Sequence, residues 1–321
     1  MGLGLGISVD WASLVPYYAK VASAFAARVK ADGGTVENTA CLKKDLKVLS
    51  PTPPPAFTGL LNTYSGAAAA YSLRLLDNTY SGNAIKVRRS SDNAEQDIAF
   101  VNNELDTASL ESFAGAGNAF VTTWYDQSGN GLDATQSNAG YQPKIVSSGS
   151  TITEGGKPAV DFDGTDDHMD TGGSDINFTG AFHMFYLSKV KVEGGSVFMT
   201  YGGGGLDQIR LYDYLYRPYI DGVNYPSGMT NDGHLIRYVW EFSRDASNDL
   251  RNYRNGSQSE LSSGVPIAGN TTNTWSVASI SSVASGFNGP IQEVIFYASD
   301  QVTNSNRVGI NTNINDFYSI Y

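Results

Sequence analysis

Along residues 14–29 the apolar positions Leu14, Tyr18, Val21, Phe25 and Val29 recur at steps of four, three, four and four, which predicts one stripe along a helix. Alanines at 22, 24, 26 and 27 favour the same conformation, and Gly33-Gly34 ends it. Thr35 can cap a second helix with the stripe Leu42, Leu46 and Leu49. Two helices this short bury little against each other. Leu14, Tyr18, Val21, Phe25, Leu42 and Leu46 are therefore expected to pack either on the next domain or on other subunits. The prolines at 51, 53, 54 and 55 make a semi-rigid spacer that favours subunits. The expected organisation is a helical anchoring and assembly segment at 1–50, a Pro-rich linker at 51–56, and a separate domain at 57–321.

Beyond the linker the period changes to two. Short alternating runs at 119–125, 157–163, 182–188, 196–201, 209–216, 235–242, 250–254, 274–280 and 291–297 are each bounded by Gly, Asn or Asp turns. Many strands and few helical patterns predict a mainly β, two-sheet sandwich. Ala67–Thr79 and Ser109–Phe113 are the exceptions, expected as short helices.

Composition narrows the function classes. Only 17% of residues are charged while 12% are aromatic, with 19 Tyr and 35 Gly, which suits a β-rich extracellular or particle-borne protein. The net charge of −11 opposes binding to nucleic acid or to an anionic membrane surface. No apolar run approaches 18 residues, so no membrane insertion is expected. The start lacks the basic and apolar regions of a secretory signal, and Gly6 stands where myristoylation needs Ser or Thr. A single cysteine, Cys41, excludes an intramolecular disulfide framework and a cysteine-built zinc site.

Two groups of residues carry three resemblances. Pro158–Asp167, the Asn252–Gly256 hairpin and Phe287–Tyr297 with the trailing 304–318 segment resemble the strands, turn and last helix of concanavalin A-like, laminin-G-like jelly rolls. Tyr71–Leu76, Tyr80-Ser-Gly, Ile85–Asp92, Asp97-Ile and Thr123–Gly131 resemble the start of the α-L-arabinofuranosidase B catalytic domain, itself such a sandwich. The same block, behind a short helical N-terminus, is similar to virion proteins of tailed bacteriophages. That last likeness covers the whole chain. It implies a virion structural protein on the particle surface: a capsid decoration, head fibre or tail-side adhesin. Its partners would be other virion proteins, copies of itself in a homo-oligomer (a trimer by analogy with fibres), and host-surface glycans.

Candidate chemistry is sparse. Retaining glycosidases need two carboxyls ~5–5.5 Å apart. No counterpart of the arabinofuranosidase Asp-Leu-Glu nucleophile segment occurs, and Gly202–Asp207 lacks the glutamate. The expectation is therefore no enzyme and no catalytic residue. Arabinofuranosidase-like hydrolysis of surface glycans and a bacterial surface adhesin are the alternatives. His183 sits in an apolar run and reads as a packed histidine. The acidic turn Asp161, Asp163, Asp166 and Asp167 offers oxygen ligands for calcium, the one candidate cofactor, or is a solvated Asp/Gly turn. Tyr212, Tyr214 and Tyr216 would share one face of a strand, either binding glycan or covered by another segment.

Overall fold

The computed structural model describes residues 57–171, 180–191, 196–201, 207–212, 215–220, 223–224, 236–265, 275–278, 286–301 and 304–321, with only the backbone at 196–201, 207–212, 215–220, 223–224, 259–261 and 304–305. The chain divides into two units, Met1–Phe57 and Thr58–Tyr321, and only the second is described below. The assembly residues Leu14, Tyr18, Val21, Phe25, Leu42 and Leu46 all lie outside the described residues.

The described unit is mainly β, with one large antiparallel sheet system and three helices among the described residues. Strands of four or more residues run, in chain order, β1 (Ala69–Ser72), β2 (Ile85–Arg89), β3 (Glu95–Ile98), β4 (Ala119–Trp124), β5 (Lys144–Ser147), β6 (Val160–Asp163) and β7 (Phe182–Lys189). They continue with β8 (Ser196–Tyr201), β9 (Asp207–Tyr212), β10 (Leu215–Ile220), β11 (Arg237–Arg244), β12 (Leu250–Arg254), β13 (Ser257–Ser262) and β14 (Asn288–Tyr297). The helices are α1 (Leu60–Thr63), α2 (Thr107–Ala114) and α3 (Asn304–Tyr318).

β14 is the hub. It pairs with β1 (Tyr71 opposite Val294), with β6 (Val160 opposite Ile291) and with β7 (Phe185 opposite Ile295). β7 pairs in turn with β11, and β11 with β12. On the other side β6 meets β5 at Asp161–Lys144, β5 meets β4, and β4 meets β2.

Period two places alternate residues of this hub in two cores. Tyr71, Met184, Tyr186, Trp240, Val294 and Phe296 join Val87, Val121, Trp124 and Ile145 in the main core. Ala70, Phe185, Leu187, Val239, Ile295 and Tyr297 pack instead with Leu60 and Leu61 of α1 and with Ile310, Ile314 and Tyr318 of α3.

Most alternating runs are strands as expected, and Ser109–Phe113 lies inside α2. Two expectations are corrected. The helix expected over Ala67–Thr79 is instead the strand β1, because Ala69 and Tyr71 feed one core while Ala70 feeds the other. The run at 209–216 is a hairpin, with Leu211 opposite Tyr216 and Tyr212 opposite Leu215.

The far edge of β1 meets the loop after β4. Ala70 N–H donates to Asp126 Oδ1 at 2.8 Å, and Gln127 N–H donates to the Ala70 carbonyl at 2.8 Å. The buried Gln127 side chain donates to the carbonyls of Ser72 (3.1 Å) and Arg74 (3.0 Å) and accepts from Leu76 N–H (2.8 Å). Ser128 Oγ lies 3.2 Å from the Ala68 carbonyl, and Asn130 Nδ2 donates to those of Ala67 and Ala68. Asp126 holds the loop itself by accepting from Ser128 N–H, Ser128 Oγ and Leu132 N–H.

Replacing Gln127 by Ala strands three buried backbone groups, so Gln127→Ala should lower the melting temperature by about 8 °C by calorimetry. Gln96→Ala, on the exposed face of β3, should move it by less than about 1 °C.

Candidate functional site

The acidic turn joins β6 to the short strand Met169–Thr171. Strand alternation leaves Asp163 exposed, and Gly164 turns the chain at φ +82° against Asn288, whose Nδ2 donates to the Asp163 carbonyl at 3.0 Å. Asp163 Oδ1 accepts from Thr165 N–H at 2.7 Å, folding the turn back. Asp167 is then carried inward to 7% exposure, where its Oδ2 accepts from Asp163 N–H at 3.0 Å. The result brings carboxylate oxygens of Asp163, Asp166 and Asp167 within 4.8 Å of one another.

Electrostatics separates the three. Burial first, then the negative charge of Asp163, pushes Asp167 from 3.8 up to about 7, against the one backbone hydrogen bond that favours its anion. A carboxyl poised near neutrality beside other carboxylates can give and take a proton. The same oxygens could hold a hard cation only with Asp167 ionised. His168 borders the group. Its Nδ1 lies 2.7 Å from the Asp166 carbonyl and so carries the proton, which leaves Nε2 to accept from Gln136 Nε2 at 3.0 Å.

The structure places the other anticipated residues differently. Asp161 is outside the three-carboxyl group, because its carboxylate pairs with Lys191. His183 is fully buried and stacked on Phe185 at 4.5 Å, with Nε2 3.3 Å from Glu241. Tyr214 and Gly202–Gly205 lie outside the described residues, as do the side chains of Tyr212 and Tyr216. Sequence reading missed that Asp126, Gln127 and Asn130 are spent on β1. It took Asp-Gln-Ser-Gly-Asn-Gly as a turn, and nothing in local spacing says which distant backbone a turn will grip.

Comparison with known proteins places this architecture. The family model for the catalytic domain of alpha-L-arabinofuranosidase B matches residues 62–164. No curated protein matches the chain. Among solved structures, an arabinofuranosidase complexed with arabinofuranosyl-alpha-1,2-xylobiose superposes with a TM-score of 0.61 at 17% identity, over 79% of this chain and 64% of that one. A GH54 α-L-arabinofuranosidase soaked with a cyclic sulfate inhibitor superposes with a TM-score of 0.59 at 15% identity and the same coverage. The chain thus spans just under two thirds of these relatives' length and shares their fold.

These findings overturn the expectation of a non-catalytic phage virion protein. The resembling block matches the family model of a hydrolase catalytic domain, and two solved arabinofuranosidases share the fold over 79% of this chain. The virion reading rested on a likeness of the same block, behind a helical N-terminus, to phage virion proteins, and a shared scaffold does not specify chemistry.

The raised value of Asp167 has a sign that can be checked. Between about pH 4 and pH 7 the folded state holds a proton that the unfolded chain has released, so this group's contribution to stability falls as pH rises through that window. Asp167→Asn keeps an acceptor for Asp163 N–H but carries no charge. It should melt about 3 °C above the unsubstituted chain at pH 8 and level with it at pH 4.

Proposed function

We propose that the chain is a glycoside hydrolase of the arabinofuranosidase type, its β domain a concanavalin A-like sandwich, acting on terminal α-L-arabinofuranosyl groups of glycans. The observation that carries this reading is the match of residues 62–164 to an arabinofuranosidase catalytic-domain model, within a fold that superposes over 79% of the chain. The acidic turn supplies chemistry of the right kind. Carboxyl oxygens within 4.8 Å suit a double-displacement mechanism, which works with two carboxyls ~5–5.5 Å apart.

In that mechanism Asp167, protonated near neutrality, gives its proton to the departing glycosidic oxygen. The exposed Asp163 carboxylate attacks the anomeric carbon and forms a glycosyl ester as the old C–O bond breaks. Asp167, now ionised, takes a proton from the water that cleaves the ester, and both carboxyls return to their starting states. The hydrogen bonds from Thr165 N–H and Asn288 fix the turn, so Asp163 needs little reorganisation.

The test is release of 4-nitrophenol from 4-nitrophenyl α-L-arabinofuranoside, the compound soaked into one of the superposing enzymes. The full chain should hydrolyse it, and Asp163→Asn or Asp167→Asn should each lower kcat by about a hundredfold or more. An inert full chain contradicts the activity. Full activity in both variants contradicts the residue assignment. If millimolar calcium raises the melting temperature and Asp167→Asn abolishes the rise, the turn is a cation site instead.

A further inference from the structure

A second group of side chains shares no residue with the acidic turn. Tyr125 follows Trp124 of β4; its ring is half-buried, and its hydroxyl donates to Asp97 Oδ1 at 2.6 Å. Tyr80 is half-buried too, with its hydroxyl donating to the Asn83 carbonyl at 2.9 Å. The Tyr80 ring meets Phe100 edge to face at 6.3 Å and lies over Gly82, where any Cβ would strike it. Asp133 completes the group. Its Oδ1 accepts from Asp126 N–H at 2.9 Å, and its Oδ2 makes no hydrogen bond among the described residues.

One backbone residue joins these contacts: Ala84, next to the Asn83 that Tyr80 grips, donates its N–H to the Ile98 carbonyl at 2.8 Å and accepts from Tyr125 N–H at 3.1 Å. After burial, Asp97 and then Asp133 push the Tyr125 hydroxyl upward, and Asp133 does the same to that of Tyr80. Burial also raises Asp133 itself. No Lys, Arg or His forms an ion pair with Asp97 or Asp133 among the described residues. A half-buried carboxylate with a spare oxygen beside aromatic rings is costly when nothing pairs with it.

We propose that Tyr80, Phe100, Tyr125, Asp97 and Asp133 form an accessory saccharide-binding subsite, outside the acidic turn. The choice of a saccharide as ligand rests on the hydrolase reading above. Both tyrosine hydroxyls are already satisfied, so the rings offer apolar surface to the C–H groups of a sugar. The carboxylates accept from sugar hydroxyls, and such charge-assisted bonds offset the penalty at Asp133. A sugar held here and another at the acidic turn would let one branched chain bind at two points, raising its effective concentration.

The experiment is native affinity electrophoresis of the full chain in gels containing soluble arabinoxylan, with thermal melts as a folding control. Asp133→Asn keeps the acceptor for Asp126 N–H, and Tyr125→Phe keeps the ring, so both should fold. Asp133→Asn and Tyr125→Ala should weaken retardation about tenfold, while Tyr125→Phe weakens it less. Absence of retardation in the unsubstituted chain overturns the subsite, as does equal retardation of the Asp133→Asn and Tyr125→Ala variants and the unsubstituted chain. Binding of poly-lysine in place of arabinoxylan, lost on Asp133→Asn, also overturns it in favour of a cationic ligand. Retardation that depends on Tyr125 and Asp133 in a chain that hydrolyses nothing would sustain the subsite and sink the proposed activity.

Discussion

The fold depends on how the far edge of β1 is closed. β1 contributes to both cores and pairs with β14 along one side through backbone bonds. Its other side is completed largely by side chains, with Asp126, Gln127, Ser128 and Asn130 standing in for a neighbouring strand. A buried backbone group left without a partner costs as much as a lost hydrogen bond or more, so this substitution must be complete. It also locks Arg74 in position. Arg74 then forms a two-pronged, buried ion pair with Glu293 of β14 (2.7 and 2.9 Å), donates to Asn313 of α3 and lies over the Phe317 ring. A buried guanidinium held by a carboxylate, an amide and an aromatic face has its charge well compensated. β1, β14 and α3 are thereby one mechanical unit.

That constraint changes what the family resemblance means. The Asp-Gln-Ser-Gly-Asn-Gly segment lies within the stretch that matches the arabinofuranosidase family model, yet its polar side chains bind this chain's own backbone. Its message concerns architecture. The candidate chemistry sits elsewhere, at the turn after β6, where strand alternation exposes Asp163 while the turn buries Asp167. The two regions meet through β14, which pairs with both β1 and β6. A scaffold segment can therefore stay recognisable while the reacting groups are set by a turn a few residues long.

Much of the β architecture was legible because short runs of apolar and aromatic residues bounded by turn residues mark strands, as at Phe182–Lys189 and Asn288–Tyr297. β1 was misread because Ala67–Ala70 carries strong helix propensity, and two-sided burial removes the polar alternation that marks a strand. The run at 209–216 was misread for a different reason, since Tyr212, Tyr214 and Tyr216 keep a spacing of two in sequence across the two paired strands. At the acidic turn the residue types were visible, but the raised affinity of Asp167 for a proton was not. It comes from burial set by Asn288 and by the pairing of β6 with β14, contacts more than a hundred residues away in sequence. The Tyr125–Asp97 contact was hidden likewise, because it needs β2 to bring β3 and β4 side by side.

The most direct measurement is covalent labelling with an arabinofuranose-configured cyclic sulfate, a reagent class used on one of the superposing enzymes. A carboxylate that attacks the anomeric carbon opens the cyclic sulfate and keeps the sugar as an ester. Intact mass followed by peptide mapping should show a single adduct, on the peptide that contains Asp163. No adduct, or an adduct on a carboxylate outside the acidic turn, would contradict the account.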